Sequence, residues 1–348
     1  MQKLLFGLLL VTSALLAHDI ESPLQQKLPD HPPPIKTVDK HLEQAQIDFD
    51  IARKMFNPWY AGPLLTPSAH NVSPGEFVVQ PYLFVKNNFA QFNGNRKSVN
   101  IKDIWTVNPL CLFQMGWFSW LDFTLTAQGF YNNQSNQDSF YWGDTSLSWG
   151  IQLMKEQPYR PAIRLSIGES LPTGRYEKLN PAKNGIDATG SGAYITTFSF
   201  NISKVIWWVL DHPFAWRFSL NYSIPTIVQV NRYNAYGGGI GTNGRVRPGN
   251  SIAIDTSIEL SFTQKWVLAI DLAYTYANHT TFSGHKGRTP SGAIASVGGP
   301  SNDNLSCAPA LEYNPSDHLG FLAGVWFAIT GRNSSDFISG VLTMYYSW

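Results

Sequence analysis

From Phe77 to Trp348 the chain alternates apolar and polar residues along strand-length runs, joined by connections that are alternately short and long. The last run places Ile338, Gly340, Leu342, Met344, Tyr346 and Trp348 at every second position and finishes on an aromatic ring. Side chains along a strand repeat every two residues, so each run has one greasy face and one wet face. Twelve runs are long enough for a tilted membrane crossing: 76–86, 103–115, 120–131, 141–154, 161–170, 192–204, 213–225, 250–262, 265–277, 305–314, 319–330 and 337–348. In the third, Leu121, Phe123, Leu125, Ala127 and Gly129 alternate with Asp122, Thr124, Thr126 and Gln128. In the eighth, Ile252, Ile254, Ile258, Leu260 and Phe262 oppose Asp255, Ser257, Glu259 and Ser261.

The connections 116–119, 155–160, 205–212, 263–264 and 314–318 are tight, whereas 87–102, 171–191, 226–249 and 278–304 are long. Short turns on one side, long loops on the other and an even number of strands describe a bacterial membrane barrel. Hydrocarbon offers backbone groups no partner, so such a sheet must close, and the run ending at Trp348 is predicted to pair with the one beginning at Phe77. A soluble sandwich also alternates, but its large aromatics are not segregated at strand ends. Here Trp117, Trp120, Trp207, Trp208, Trp216, Trp266 and Trp348 fall near the short-turn ends, and Trp105 and Trp142 near the long-loop ends, as two girdles would. Pro81, Pro109 and Gly150 are expected at bulges or bends, with Pro109 at a rim or irregular position. The predicted fold is an all-β, closed antiparallel transmembrane β-barrel of about twelve strands with a short N-terminal helical arm.

The chain begins Met1-Gln2-Lys3, runs almost unbroken in apolar residues from 4 to 16 and then reads Ala17-His18-Asp19. That is the pattern of a secretory signal over residues 1–17, too short to span a membrane as a helix. Residues 18–75 form a proline-rich arm, stiff at 29–34, and 76–348 form the barrel. Leu42, Ala45, Phe49, Ala52 and Phe56 recur at three- and four-residue steps and predict a helix over 37–56, ended by Asn57-Pro58. The helix has two readings: an arm resting on the barrel mouth, or a plug that enters the lumen and gates it.

Composition narrows function by exclusion. With 348 residues, 14% charged and a net charge of +1, the chain offers no electrostatic case for nucleic acid. Cys111, on a lipid-facing strand face, and Cys307, read as lying in a loop, are too few for a disulfide framework and are not expected to pair. The histidines lie in the arm, at His212 or in loop regions at His279, His285 and His318, and none is placed for a Ser/His hydrolase on a strand lip. Asp211-His212 falls in a short turn, away from outer substrates. Residues 239–244 share the spacing of a dinucleotide fingerprint, but no amphipathic helix follows, so they read as a flexible loop. No catalytic residue, metal site or cofactor is expected.

By parity the lumen carries Asp122, Asp144, Arg164, Arg217, Asp255, Glu259, Asp271 and Glu312. These charges have two readings, a network that pairs across the interior or an eyelet that selects solutes by charge. Tyr82, Phe84, Leu322, Trp326, Val341 and Tyr345 also point inward on strands that closure makes neighbours, giving one apolar wall. It suits packing of the N-terminal helix, a tight seam, or a slide for aromatic or aliphatic solutes.

Gly62-Pro63-Leu64-Leu65-Thr66-Pro67-Ser68, Gly143-Asp144-Thr145, Leu171-Pro172-Thr173-Gly174-Arg175-Tyr176 and Gly331-Arg332 resemble the outer-membrane barrels associated with the phenol meta-cleavage pathway. The resemblance spans most of residues 58–348. It implies a barrel admitting small, often hydrophobic compounds, and carries over no catalytic residue; the proline-rich arm departs from it. The leading expectation is an outer-membrane channel for passive passage of small solutes. The alternative is a surface structural or adhesive barrel with a plugged lumen and partner-binding outer loops. Expected partners are the outer-membrane lipid bilayer, the barrel-assembly machinery through the C-terminal strand, and a small-molecule solute.

Overall fold

The computed structural model describes residues 34–55, 59–209 and 212–348. The signal over 1–17, most of the proline-rich stretch at 29–34, the helix stop at 56–58 and Asp211 lie outside the described residues. The helix α1 runs over Ile35–Met55, close to its predicted span, and carries Ile35, Leu42 and Ile47 exposed.

The barrel strands are β1 (Phe77–Phe92), β2 (Ser98–Phe118), β3 (Leu121–Gln134), β4 (Gln137–Trp142), β5 (Thr145–Met154), β6 (Ala162–Leu171), β7 (Ile195–Val209) and β8 (His212–Pro225). Short β9 (Val228–Asn231) and β10 (Asn243–Arg247) precede β11 (Ser251–Ser261) and β12 (Trp266–Ala277). The short β13 (Thr281–His285), then β14 (Asn302–Tyr313), β15 (Leu319–Arg332) and β16 (Ser334–Ser347) complete the chain. β4 and β5 are two pieces of one crossing, broken at Gly143 and Asp144, and the sheet closes as a 12-strand antiparallel barrel. The closing seam is β1 on β16, with Leu83 opposite Leu342. Phe77 and Trp348 exchange both backbone hydrogen bonds, at 3.0 Å each, and their rings stack with centroids 5.8 Å apart. No unpaired edge is left for hydrocarbon.

The parity read from the sequence describes the wall. Ile338, Leu342, Tyr346 and Trp348 are exposed on the outside, while Phe337, Ser339, Val341, Thr343 and Ser347 are buried on the inside. Trp105 and Trp142 are exposed towards one end of the barrel, and Trp117, Trp120, Trp266 and Trp348 towards the other.

Several local expectations are corrected. The connection at 87–102 is not a long loop: β1 and β2 continue past it, and their tight turn sits at 93–97. Likewise β7 runs on to Val209. Cys307 lies within β14, opposite Leu272, not in a loop, and both cysteines are free. Gly150 marks no bend. It pairs regularly within β5, and a Cβ there would sit 2.0 Å from the Arg164 guanidinium, so the missing side chain gives that arginine its path. Pro109 lies mid-strand at an irregularity, where the β2–β3 ladder skips from Val107 to Leu110. Proline has no N–H to give there, and Asn108 Nδ2 donates instead to the Gly129 carbonyl at 2.8 Å.

The long connections are also more ordered than loop composition suggests. β9, β10 and β13 form a three-stranded sheet beyond the barrel strands. The glycine-rich 239–244 segment leads into β10, with Thr242 Oγ1 accepting from Gly239 N and donating to Lys286 O. The 171–195 connection folds inward: the Ile186 carbonyl accepts from Asn132 Nδ2 and Ser139 Oγ, and Asp144 holds the backbone N–H groups of Gly174 and Ser191.

Candidate functional site: a strapped lumen

The segment that enters the barrel is the extended stretch at 59–73. Pro63 and Pro67 deny it both helix and ladder, leaving main-chain N–H groups that need other acceptors. The lumen supplies them. At one wall Trp59 N donates to Gln264 O at 3.2 Å, Tyr60 Oη accepts from Ser261 Oγ at 3.0 Å, and Ala61 N donates to Glu312. Leu64 N, Leu65 N and Thr66 N all donate to Asp271, at 3.0, 3.3 and 3.0 Å, and Thr66 Oγ1 donates to it at 2.7 Å. Across the lumen Ala69 N reaches Ser203 Oγ at 2.9 Å, Asn71 N reaches Gln152 at 2.8 Å, and Val72 N reaches Asp122 at 3.2 Å. The strap therefore crosses from the β11–β14 wall to the β3–β7 wall at the short-turn end.

Two of its residues fit by shape. Gly62 has φ +108°, a conformation L side chains rarely adopt, and a Cβ there would lie 3.1 Å from Arg217. Leu64 lies buried against Ala269, Ala308, Ala310, Leu322 and Val341, and a Cβ on Gly324 would meet it at 2.7 Å. Of the apolar wall, Tyr82, Phe84, Leu322, Trp326 and Val341 therefore share a cluster with the strap's Ala61, Leu64 and Leu65, while Tyr345 lies outside it. The strap packs directly against this wall.

The eight lumen charges divide by role. Arg164 Nη2 bonds Asp122 at 2.6 Å and its Nε donates to Asn71 at 2.8 Å, so this pair also grips the strap. Arg217 bonds Glu259 at 2.7 and 3.2 Å. Asp271 and Glu312, both 0% exposed, pair with strap N–H groups and not with cations. Asp144 ties down an outer loop, and Asp255 is only half-buried, with no cation within salt-bridge reach among the described residues. Thr66, Asn71, Gln152 and Ser203 were not legible as lumen partners, because side-chain identity does not reveal that a main chain will thread past.

One anchor lies in a short turn outside the wall. Glu156 accepts from His70 Nε2 at 3.0 Å, Val205 N at 2.7 Å and Lys204 Nζ at 3.2 Å. Burial alone would raise its pKa, but the bonds from His70 and Val205 and the Lys204 charge outweigh it and hold the carboxyl below its ordinary range. Ser68 Oγ touches His70 Nδ1 at 3.2 Å but also accepts that residue's own N–H, in a local turn. The trio anchors the strap.

Above the strap the lumen changes character. At strap level Asp122, Arg164, Asn201, Ser203, Glu259 and Asp271 are buried, whereas towards the long loops Ser146, Ser148, Thr197, Ser199, Asn221 and Asp255 are half-exposed. The result is a hydroxyl-rich vestibule with an aromatic patch on the β1–β15–β16 side, closed below by chain held through hydrogen bonds.

No protein-family model and no curated protein matches the chain. Among solved structures it is similar to an outer membrane channel from Pseudomonas putida F1, with a TM-score of 0.63 and 10% identity over 83% of this chain and 100% of that one. The two share a fold. The translocator domain of the autotransporter NalP from Neisseria meningitidis matches more loosely, at a TM-score of 0.42 and 10% identity over 89% of this chain and 97% of that one. The CymD monoaromatic hydrocarbon channel is as distant, at 0.40 and 8% identity over 80% and 89%. At that overlap neither adds to what the first shows.

Proposed function

We propose that the protein is an outer-membrane channel for small solutes, closed at its periplasmic end by the strap at 59–73. The observation that carries this reading is the contrast along the lumen: an accessible vestibule facing the long loops, then a stop made of main chain held by reversible hydrogen bonds. A wall that only had to be stable would fill its interior with packed side chains. The exposed apolar exterior supports membrane residence, and the leader at 1–17 supports export before insertion. The aromatic C-terminal strand suits recognition by the barrel-assembly machinery. Small aromatic or hydrophobic compounds, the solute class of the meta-cleavage resemblance, suit the patch of Phe84 and Trp326.

The plugged structural barrel has one observation in its favour, the number of bonds that hold the strap. Planar-bilayer recording separates the two readings. The full chain is expected to show brief openings, and a variant lacking residues 59–73 a larger, persistent conductance. A strapless barrel that folds and never conducts would overturn the channel.

A further inference from the structure

We propose that Lys86, Trp326 and Phe337 form a binding site in the vestibule for the carboxylate form of a small aromatic acid. This rests on the channel reading and names a solute class for it.

Lys86 points inward from β1, with Nζ 5.0 Å from the Phe337 ring centroid and 5.9 Å from that of Trp326. Trp326 meets Phe337 edge-on at 4.8 Å and Phe84 edge-on at 6.2 Å, and its Nε1–H donates to Ser306 Oγ at 2.9 Å, which fixes the indole. Phe337 is buried and backs the indole, whereas Trp326 is partly exposed and is the ring a solute can reach.

The charge inventory identifies what that ring should carry. Two other cations of the barrel interior, Arg164 and Arg217, are each bonded to a carboxylate. Among the described residues no carboxylate lies within 4.0 Å of the Lys86 ammonium. The two rings offset part of its charge, but they leave its three N–H donors for a ligand oxygen or water. An anion with a flat apolar body answers both features: the carboxylate takes the ammonium, and the ring packs on Trp326.

Asp255 restricts the choice further. Its strand β11 lies five places round the sheet from β1, nearly across the lumen, and its carboxylate is half-exposed to the vestibule. A second negative charge on the solute would be repelled by this acid rather than paired, so the site favours monocarboxylates over dicarboxylates or phosphates.

The test is calorimetric titration of the detergent-solubilised full chain with sodium benzoate, cyclohexanecarboxylate, benzyl alcohol and terephthalate. Benzoate is expected to bind one per chain, at least tenfold tighter than the other three. Lys86→Met and Lys86→Gln should each weaken benzoate tenfold or more and leave benzyl alcohol unchanged, whereas Lys86→Arg should retain it. Trp326→Ala should abolish the preference for benzoate over cyclohexanecarboxylate. Equal benzoate affinity in wild type and both neutral Lys86 variants, each shown to be folded by heat-modifiable migration, overturns the site. Bilayer recording keeps the two proposals apart: conductance without benzoate binding removes this site alone, and benzoate binding to a strapless barrel that never conducts removes the channel alone.

Discussion

Asp271 holds four donors of the strap on one buried carboxylate, so it is the residue on which the closed state leans hardest. Parity put Asp271 inside the barrel, but its partners are main-chain groups some 205 residues away in sequence, and no pattern of side chains announces them. Asp271→Asn would turn an amide NH2 toward facing N–H groups and lose charge-assisted bonds, at a cost of about 2–3 kcal/mol. The expected outcome is a higher open probability in bilayers and faster proteolysis within 59–73, with the barrel still heat-modifiable. Glu156 makes the strap's other anchor pH-dependent. Because its folded pKa is depressed, its contribution is fully present above the unfolded value of about 4.3 and is lost as pH falls through the lower folded value. Glu156→Gln should therefore speed strap proteolysis at pH 6, and the difference from wild type should shrink below about pH 4.

At the scale of elements, the strands and the strap were unequally legible. A strand with one face in lipid must repeat every two residues, so the alternation of β3, β8, β11 and β12 could be read directly, as could the helix α1 from its three- and four-residue spacing. The strap has no period. Its prolines and lone glycine say what it avoids, and only the wall shows why Leu64 fits: Gly324, Ala308 and Ala310 leave the slot it fills. Leu64→Asp should vacate that slot and expel the strap while leaving every residue of the wall in place. The readout is conductance like that of the 59–73 deletion, with unchanged melting of the barrel; unchanged closure would show that the slot does not position the strap. The ends of β1 and β2 are hard to read because Asn87, Asn88, Asn93, Gly94 and Asn95 give the stretch a turn-like composition that hides a hairpin.

For the whole molecule, closure is the property on which membrane residence depends. A pair of cysteines at Leu83 and Leu342, directly opposite across the seam, should cross-link on oxidation in intact outer membranes, and gel migration of the boiled, unreduced protein measures it. Failure to cross-link would place the two termini of the sheet apart.

The sequence by itself determined the barrel: its class, its inward and outward residues, its closing pair and its two aromatic girdles. It could do so because a bilayer imposes one solvent on every outward position, and that demand is written locally, residue by residue. Only the tertiary structure decided what the interior does with its charges, which side chains bind the strap and which cation is left facing the vestibule. Those outcomes depend on which groups meet across the lumen, where neighbours in space are strangers in sequence.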